Sequence, residues 1–82
     1  MTIDEALADL IARVGTASPE AVIRVARLLE TEAVIRAYAP AEAASAIKAA
    51  TDEVTTAWLT GDGLDVQVLV YDIATTVPPD AA

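Results

Sequence analysis

Apolar residues recur at helical spacing along most of this chain. Ile3, Leu7, Leu10, Ile11 and Val14 fall on one face, and Thr2 and Glu5 before them make a capping box. Gly15 then supplies a left-handed stop, which predicts a helix over residues 3–14. Ser18 as N-cap, Pro19 in the first turn and Glu20 behind it open a second helix, over residues 19–38. Its periodicity changes midway. In the first half Glu20, Arg24, Arg27 and Thr31 form the polar stripe; in the second half Val34, Ile35 and Tyr38 move onto that stripe. Either the helix is kinked near Thr31, or its second half is buried by another element or another subunit.

Pro40 forces a corner, because it lacks the donor a continuing helix needs and pushes Ala39 out of helical geometry. A third helix over residues 41–59 follows, with Ala43, Ile47, Ala50, Val54 and Trp58 in one stripe and Gly61 as its end. Residues 63–77 carry two patterns. Val66, Val68 and Val70 alternate as in a strand, while Val66, Val70, Ile73 and Val77 make a helical stripe. A lone strand needs a partner that the other predicted elements do not offer, so the segment reads as a fourth helix capped by Asp62. The expected fold is all-α, a small four-helix bundle in one domain over residues 1–77, with 78–82 as a flexible tail.

Composition changes this picture in one respect. At 82 residues and 55% apolar, the chain has more apolar surface than one small core can use, which points to self-association or a protein partner. Charge excludes more. The net charge is −8, and all five basic residues lie before residue 49, so direct binding to nucleic-acid phosphate is disfavoured. Each base has an acid one helical turn away (Asp9–Arg13, Glu20–Arg24, Glu32–Arg36, Arg27–Glu30, Lys48–Asp52), the pattern of a solvated helix face. Asp52, Glu53, Asp62, Asp65 and Asp72 give the last third a candidate anionic surface. No apolar run is long enough for a membrane span, and the acidic start Asp4-Glu5 is unlike a secretory signal, so the expected location is the cytoplasm.

Candidate chemistry is sparse. Without histidine or cysteine, the common nucleophile–base pairs and transition-metal sites are missing. Ser45 and Lys48 match an S-x-x-K pattern, which works only in a large fold with an oxyanion hole. Asp62-Gly63-Leu64-Asp65 resembles the attachment segment of acyl carrier proteins, but Gly63 stands where the modified serine must be. No catalytic residue, cofactor, metal or small-molecule substrate is expected. The candidate interface is Val34, Ile35 and Tyr38, which fall on the wrong side of their helix, together with the single tryptophan, Trp58.

Leu28-Leu29, the run Val34-Ile35-Arg36-Ala37-Tyr38-Ala39-Pro40, then Ile47, Ala50 and Trp58-Leu59, together resemble the head–tail connector (adaptor) proteins of tailed bacteriophages. There a helix ends at a Tyr-x-Pro corner and a second ends in an aromatic–Leu pair. Over residues 28–59 the resemblance implies two adjoining helices in a ring-forming structural subunit, cytoplasmic in the host or part of the virion. The alternative expectation is a small acidic regulatory module that binds a protein as a homodimer or adaptor.

Overall fold

The structure, a computed structural model, describes residues 1–76 and Pro78. It is not a helical bundle. The order is helix α1 (Ile3–Ala17), strands β1 (Val22–Leu29) and β2 (Glu32–Ala39), a single 3-10 turn (Ala41–Ala43), helix α2 (Ala44–Asp62) and strand β3 (Asp65–Asp72). The strands form one mixed sheet in the order β1-β2-β3, with β1 antiparallel and β3 parallel to β2. Both helices lie on the same side of it, giving an α+β fold of two layers within an envelope of 35 × 29 × 16 Å. Among the described residues no helix is long and apolar enough to cross a membrane.

The expected second helix is the β1–β2 hairpin. Its change of face at Thr31 is real, but a two-residue turn at Glu30-Thr31 causes it, not a kink. Neither turn residue has a positive φ, so the turn is not one of the primed types that suit a hairpin's twist. The register instead shifts by one between Arg27 and Leu29, leaving Leu28 as an extra, bulged residue. Val22, Ile23, Val25, Val34 and Ile35 are β-branched, and that preference prevails over the helical spacing. The expected fourth helix becomes β3 for a related reason. Once β2 exists, Asp65–Asp72 has a partner, and all eight of its residues pair in register with Glu32–Ala39. The expected end at Val77 and the tail beyond Pro78 lie outside the described residues.

Two predicted elements survive with changed ends. Thr2 caps α1 in a full capping box: its N–H donates to Glu5 Oε1 at 2.9 Å, and the Glu5 N–H donates to Thr2 Oγ1 at 3.2 Å. Gly15 does not end α1, which runs to Ala17; the cap at Ser18 donates its N–H to the Val14 carbonyl at 2.8 Å. Pro40 makes the expected corner after β2, and its carbonyl accepts from Ala43 N–H at 2.9 Å as the next helix begins. Gly61 is helical. Gly63, at φ 68°, is the left-handed residue that turns α2 into β3, where a side chain would be strained.

The core lies between the helices and one sheet face. Ile3, Leu7 and Leu10 of α1 and Trp58 of α2 meet Ala33, Ile35, Leu64 and Val66; Val14 and Ile47 meet Ala37 and Ala39. Three of the β2 residues are alanines, so the helices sit close to the central strand while the core stays small. Ile35 and Trp58, expected at an interface, are core residues instead. Thr51 is buried on α2 with its hydroxyl donating to the Ile47 carbonyl at 2.9 Å.

Two outcomes follow for stability. Leu10 is wholly buried against the Trp58 cluster, so Leu10→Ala will cost about 2–5 kcal/mol, a large share of a small domain's stability. Urea unfolding followed by Trp58 fluorescence measures it. The backbone N–H of Thr2, and next its hydroxyl, hold the Glu5 carboxyl below the usual glutamate pKa. A lowered folded pKa gives stability that is present above the unfolded value and is lost as pH falls through the folded one. Glu5→Gln, which leaves no carboxyl to titrate, will remove that acid-range slope, whereas Thr2→Val keeps the backbone N–H and will only lessen it while lowering the neutral-pH midpoint, as a pH series of unfolding curves will record.

Candidate functional site

A three-stranded sheet has two faces, and the helices cover one. Side-chain alternation and register sort the other into four transverse rows. Leu29, Glu32 and Asp65 form the row nearest the hairpin turn. Ala26, Val34 and Gln67 come next, then Arg24, Arg36 and Leu69, and finally Val22, Tyr38 and Tyr71. An acidic row and a basic row are thus separated by a largely apolar one. Leu29 is 61% exposed and Leu69 38%, large values for residues in regular strands.

The aromatic end of this face is rigid. Tyr38 and Tyr71 are register partners on β2 and β3, their rings stacked with centroids 5.2 Å apart and planes 21° from parallel. Tyr38 is only 4% exposed although its register places it on the side away from the helices, so Tyr71, half-buried, is the ring this face presents. The basic row is under tension. Arg24 and Arg36 are direct register partners across the antiparallel pair, and like charges so placed destabilise a sheet. Neither has an ion-pair partner among the described residues. Arg24 Nη1 donates to its neighbour Ile23's carbonyl at 3.1 Å, and its buried Nε has no partner.

The helical acid–base pairs expected from the sequence are mostly absent. Glu20 lies in the turn before β1 and makes no ion pair with Arg24 among the described residues; in strands residues four apart are about 13 Å apart, so Glu32 cannot reach Arg36 along the chain. Asp9–Arg13 forms as expected, at 3.0 Å. Arg27 pairs with Asp4 of α1 at 2.9 Å, tying β1 to the helix layer, rather than with Glu30. Among the described residues Lys48 makes no ion pair with Asp52.

Of the candidate interface, the structure brings Val34 and Tyr38 to the open face and sends Ile35 and Trp58 inward. The candidate anionic residues do not gather. Asp52 and Glu53 are exposed on α2, Asp62 ends that helix, and Asp65 lies in the acidic row of the open face. Asp72 shapes the turn after β3, its carboxylate accepting from Ala74 N–H at 2.9 Å. Arg24, Arg36 and Glu32 were read as solvated helix residues. The signal passed over is Ala-Val-Ile-Arg, which occurs at both 21–24 and 33–36 and sets the two arginines opposite each other once the hairpin closes.

A depression of about 470 Å³ lies between the helices on the far side, lined by Arg13, Ala49, Ala50, Glu53, Val54 and Ala57. One carboxylate and one guanidinium among alanines offer no nucleophile and no second acid or base. Among the described residues no group of three potential metal ligands is close enough to hold an ion. Comparison with protein-family models, with curated proteins and with solved structures returns no match. The paired helices implied by the connector resemblance are also missing, since residues 28–39 are the end of β1, a turn and β2, and Tyr38-Ala39-Pro40 closes β2 rather than a helix.

The repulsion in the basic row is measurable. Arg36→Glu replaces a like-charge cross-strand pair by an opposite one and will stabilise the isolated domain by about 0.2–1 kcal/mol at low salt. The gain will shrink as salt is added, which urea curves of dilute protein at two ionic strengths will test.

Proposed function

We propose that this chain is a non-enzymatic protein-interaction module, and that its open sheet face is the binding surface. The observation that carries the reading is the four-row face itself, on which Tyr71, two arginines and two exposed leucines lie side by side. Tyrosine and arginine are enriched where binding energy concentrates, and stacked rings or strand-held guanidinia lose little entropy when a partner arrives. A second consideration points the same way. All-parallel sheets occur almost only with both faces covered; this sheet is mixed, but its parallel pair β2–β3 has neither helix on its outer face. The module's role is to supply two layers of a three-layer assembly whose last layer comes from a partner.

Catalysis has little to draw on, because the sequence holds neither histidine nor cysteine. Binding through an anionic last third has no continuous surface behind it, since those acids are spread over α2, both ends of β3 and the open face.

A photo-crosslinking residue placed at Leu69, with the same residue at exposed Ser45 on α2 as control, tests the proposal in the cells that make the protein. A discrete protein adduct from position 69 is expected, lost on Val34→Glu and absent from position 45. Equal, diffuse labelling from both positions would sink it.

A further inference from the structure

We infer that the occupant of the open face is a second copy of this chain, packed face to face about a two-fold axis. The axis runs beneath Val34, at right angles to the strands. This rests on the reading of that face as the binding surface and names its partner.

Charge selects the partner. The whole chain carries −8, so two copies repel over most of their surface. The open face differs: Arg24 and Arg36 balance Glu32 and Asp65, and its net charge is zero. It is the broad surface on which two copies can meet without like charge facing like.

Geometry then fixes the arrangement. Glu32 and Arg36 lie on the same strand, two residues to either side of Val34, about 6.6 Å away in each direction. A two-fold axis through Val34 reverses the strand direction of the second copy. It sets Glu32 of each copy over Arg36 of the other, twice, with Val34 against its own symmetry mate. The same operation lays Leu29 of one copy over the aliphatic stem of Arg24 of the other, relieving its exposure. A two-fold axis parallel to the strands would instead stack Arg36 on Arg36 and Glu32 on Glu32. An unrelated acidic partner would meet Glu32 and Asp65, and a basic one would meet the two arginines. The second copy presents Glu32 and Arg36 at the matching spacing, as an isologous interface requires, while Asp65 comes over Leu69 at the β3 edge, where its carboxylate stays at the wet rim.

The area limits the association to a weak one. Centring on Val34 overlaps five of the eight positions of each strand, about 17 Å by 14 Å, which with side-chain relief buries on the order of 600 Å² in total, below the usual range of specific interfaces. The dimer will therefore dissociate on dilution, and higher salt will weaken it.

Charge exchange at the two positions tests this, read by sedimentation equilibrium over a dilution series, with Trp58 fluorescence reporting the fold. The wild type will be a concentration-dependent dimer. Glu32→Arg and Arg36→Glu will each raise the dissociation constant by about tenfold or more, since each places like charges together twice. The double variant E32R/R36E will recover association. An equimolar mixture of the two single variants will form the heterodimer in preference to either homodimer. A wild type that stays monomeric at the highest attainable concentration overturns the inference, as does a dimer indifferent to both single changes. A dimer disrupted by Val25→Lys on the helix side of β1, but not by Arg36→Glu, would also overturn it, in favour of edge pairing. A monomer that still crosslinks through position 69 to a different protein refutes the second copy and leaves the binding face standing. A monomer with no specific adduct refutes both.

Discussion

The parallel ladder between Glu32–Ala39 and Asp65–Asp72 is the constraint on which the rest of the molecule depends. Parallel neighbours cannot be joined by a tight turn; the chain must travel back the full length of the strand before it can pair. Pro40 starts that return, α2 makes it, and Gly63 in the left-handed conformation ends it one residue before Leu64 enters the core. With the crossover on one side, α2 has to bury its apolar stripe against that same side. The α1 helix joins it there, held by Leu10 and Val14 and by the Asp4–Arg27 ion pair. Both helices being spent on one face, neither covers the other.

That uneven cover explains why so small a chain is so apolar. A single core between two helices and three strands uses Ile3, Leu10, Ile35, Ile47 and Trp58, and the sheet contributes mostly alanine and valine to it. Leu29, Val34, Leu69 and Tyr71 alternate outward. Inward packing is limited by chain length, since a domain of this size buries only about 60% of the surface its unfolded chain exposes. Covering the second face would add apolar burial without lengthening the chain, and would stabilise the folded state by mass action.

What the sequence made legible was local. The capping box at Thr2–Glu5, the corner at Pro40 and the stripe of α2 are each decided within a few residues, and the structure has all three. The surplus of apolar surface and the odd placement of Val34 and Tyr38 were also readable, and both residues lie on the open face. The strands were not readable in the same way, because each depends on another. Residues 22–39 carry no glycine at the turn, and Leu29-Glu30-Thr31-Glu32 is as acceptable to a helix as to a hairpin. Judged without β2, the alternation Val66-Val68-Val70 had nothing to pair with, so one misread element removed the evidence for the next. Expecting an interface at Ile35 failed for the same reason, since its side chain was assigned to a face of a helix that does not exist; Trp58, also a candidate interface residue, is buried on the α2 stripe where its spacing put it.

The placement of charge on the sheet is best understood as a set of exclusions. At the β1 edge the charges are Arg24 and Arg27, and a bulge at Leu28 interrupts the ladder; at the β3 edge they are Asp65 and Asp72. Like edges therefore carry like charge, which blunts the pairing of one edge with its own copy. Within the open face the logic is reversed. Opposite charges sit in separate rows of that face, too far apart along β2 to neutralise each other within one molecule. The Arg24–Arg36 repulsion and the unpartnered Arg24 Nε are local costs that an isolated domain would avoid by a single exchange of sign. One pair of opposite charges is symmetrically placed: Glu32 and Arg36 stand two residues to either side of Val34 on β2, whereas Arg24 and Asp65 lie on opposite edge strands, with Leu29 and Leu69 at the corresponding positions.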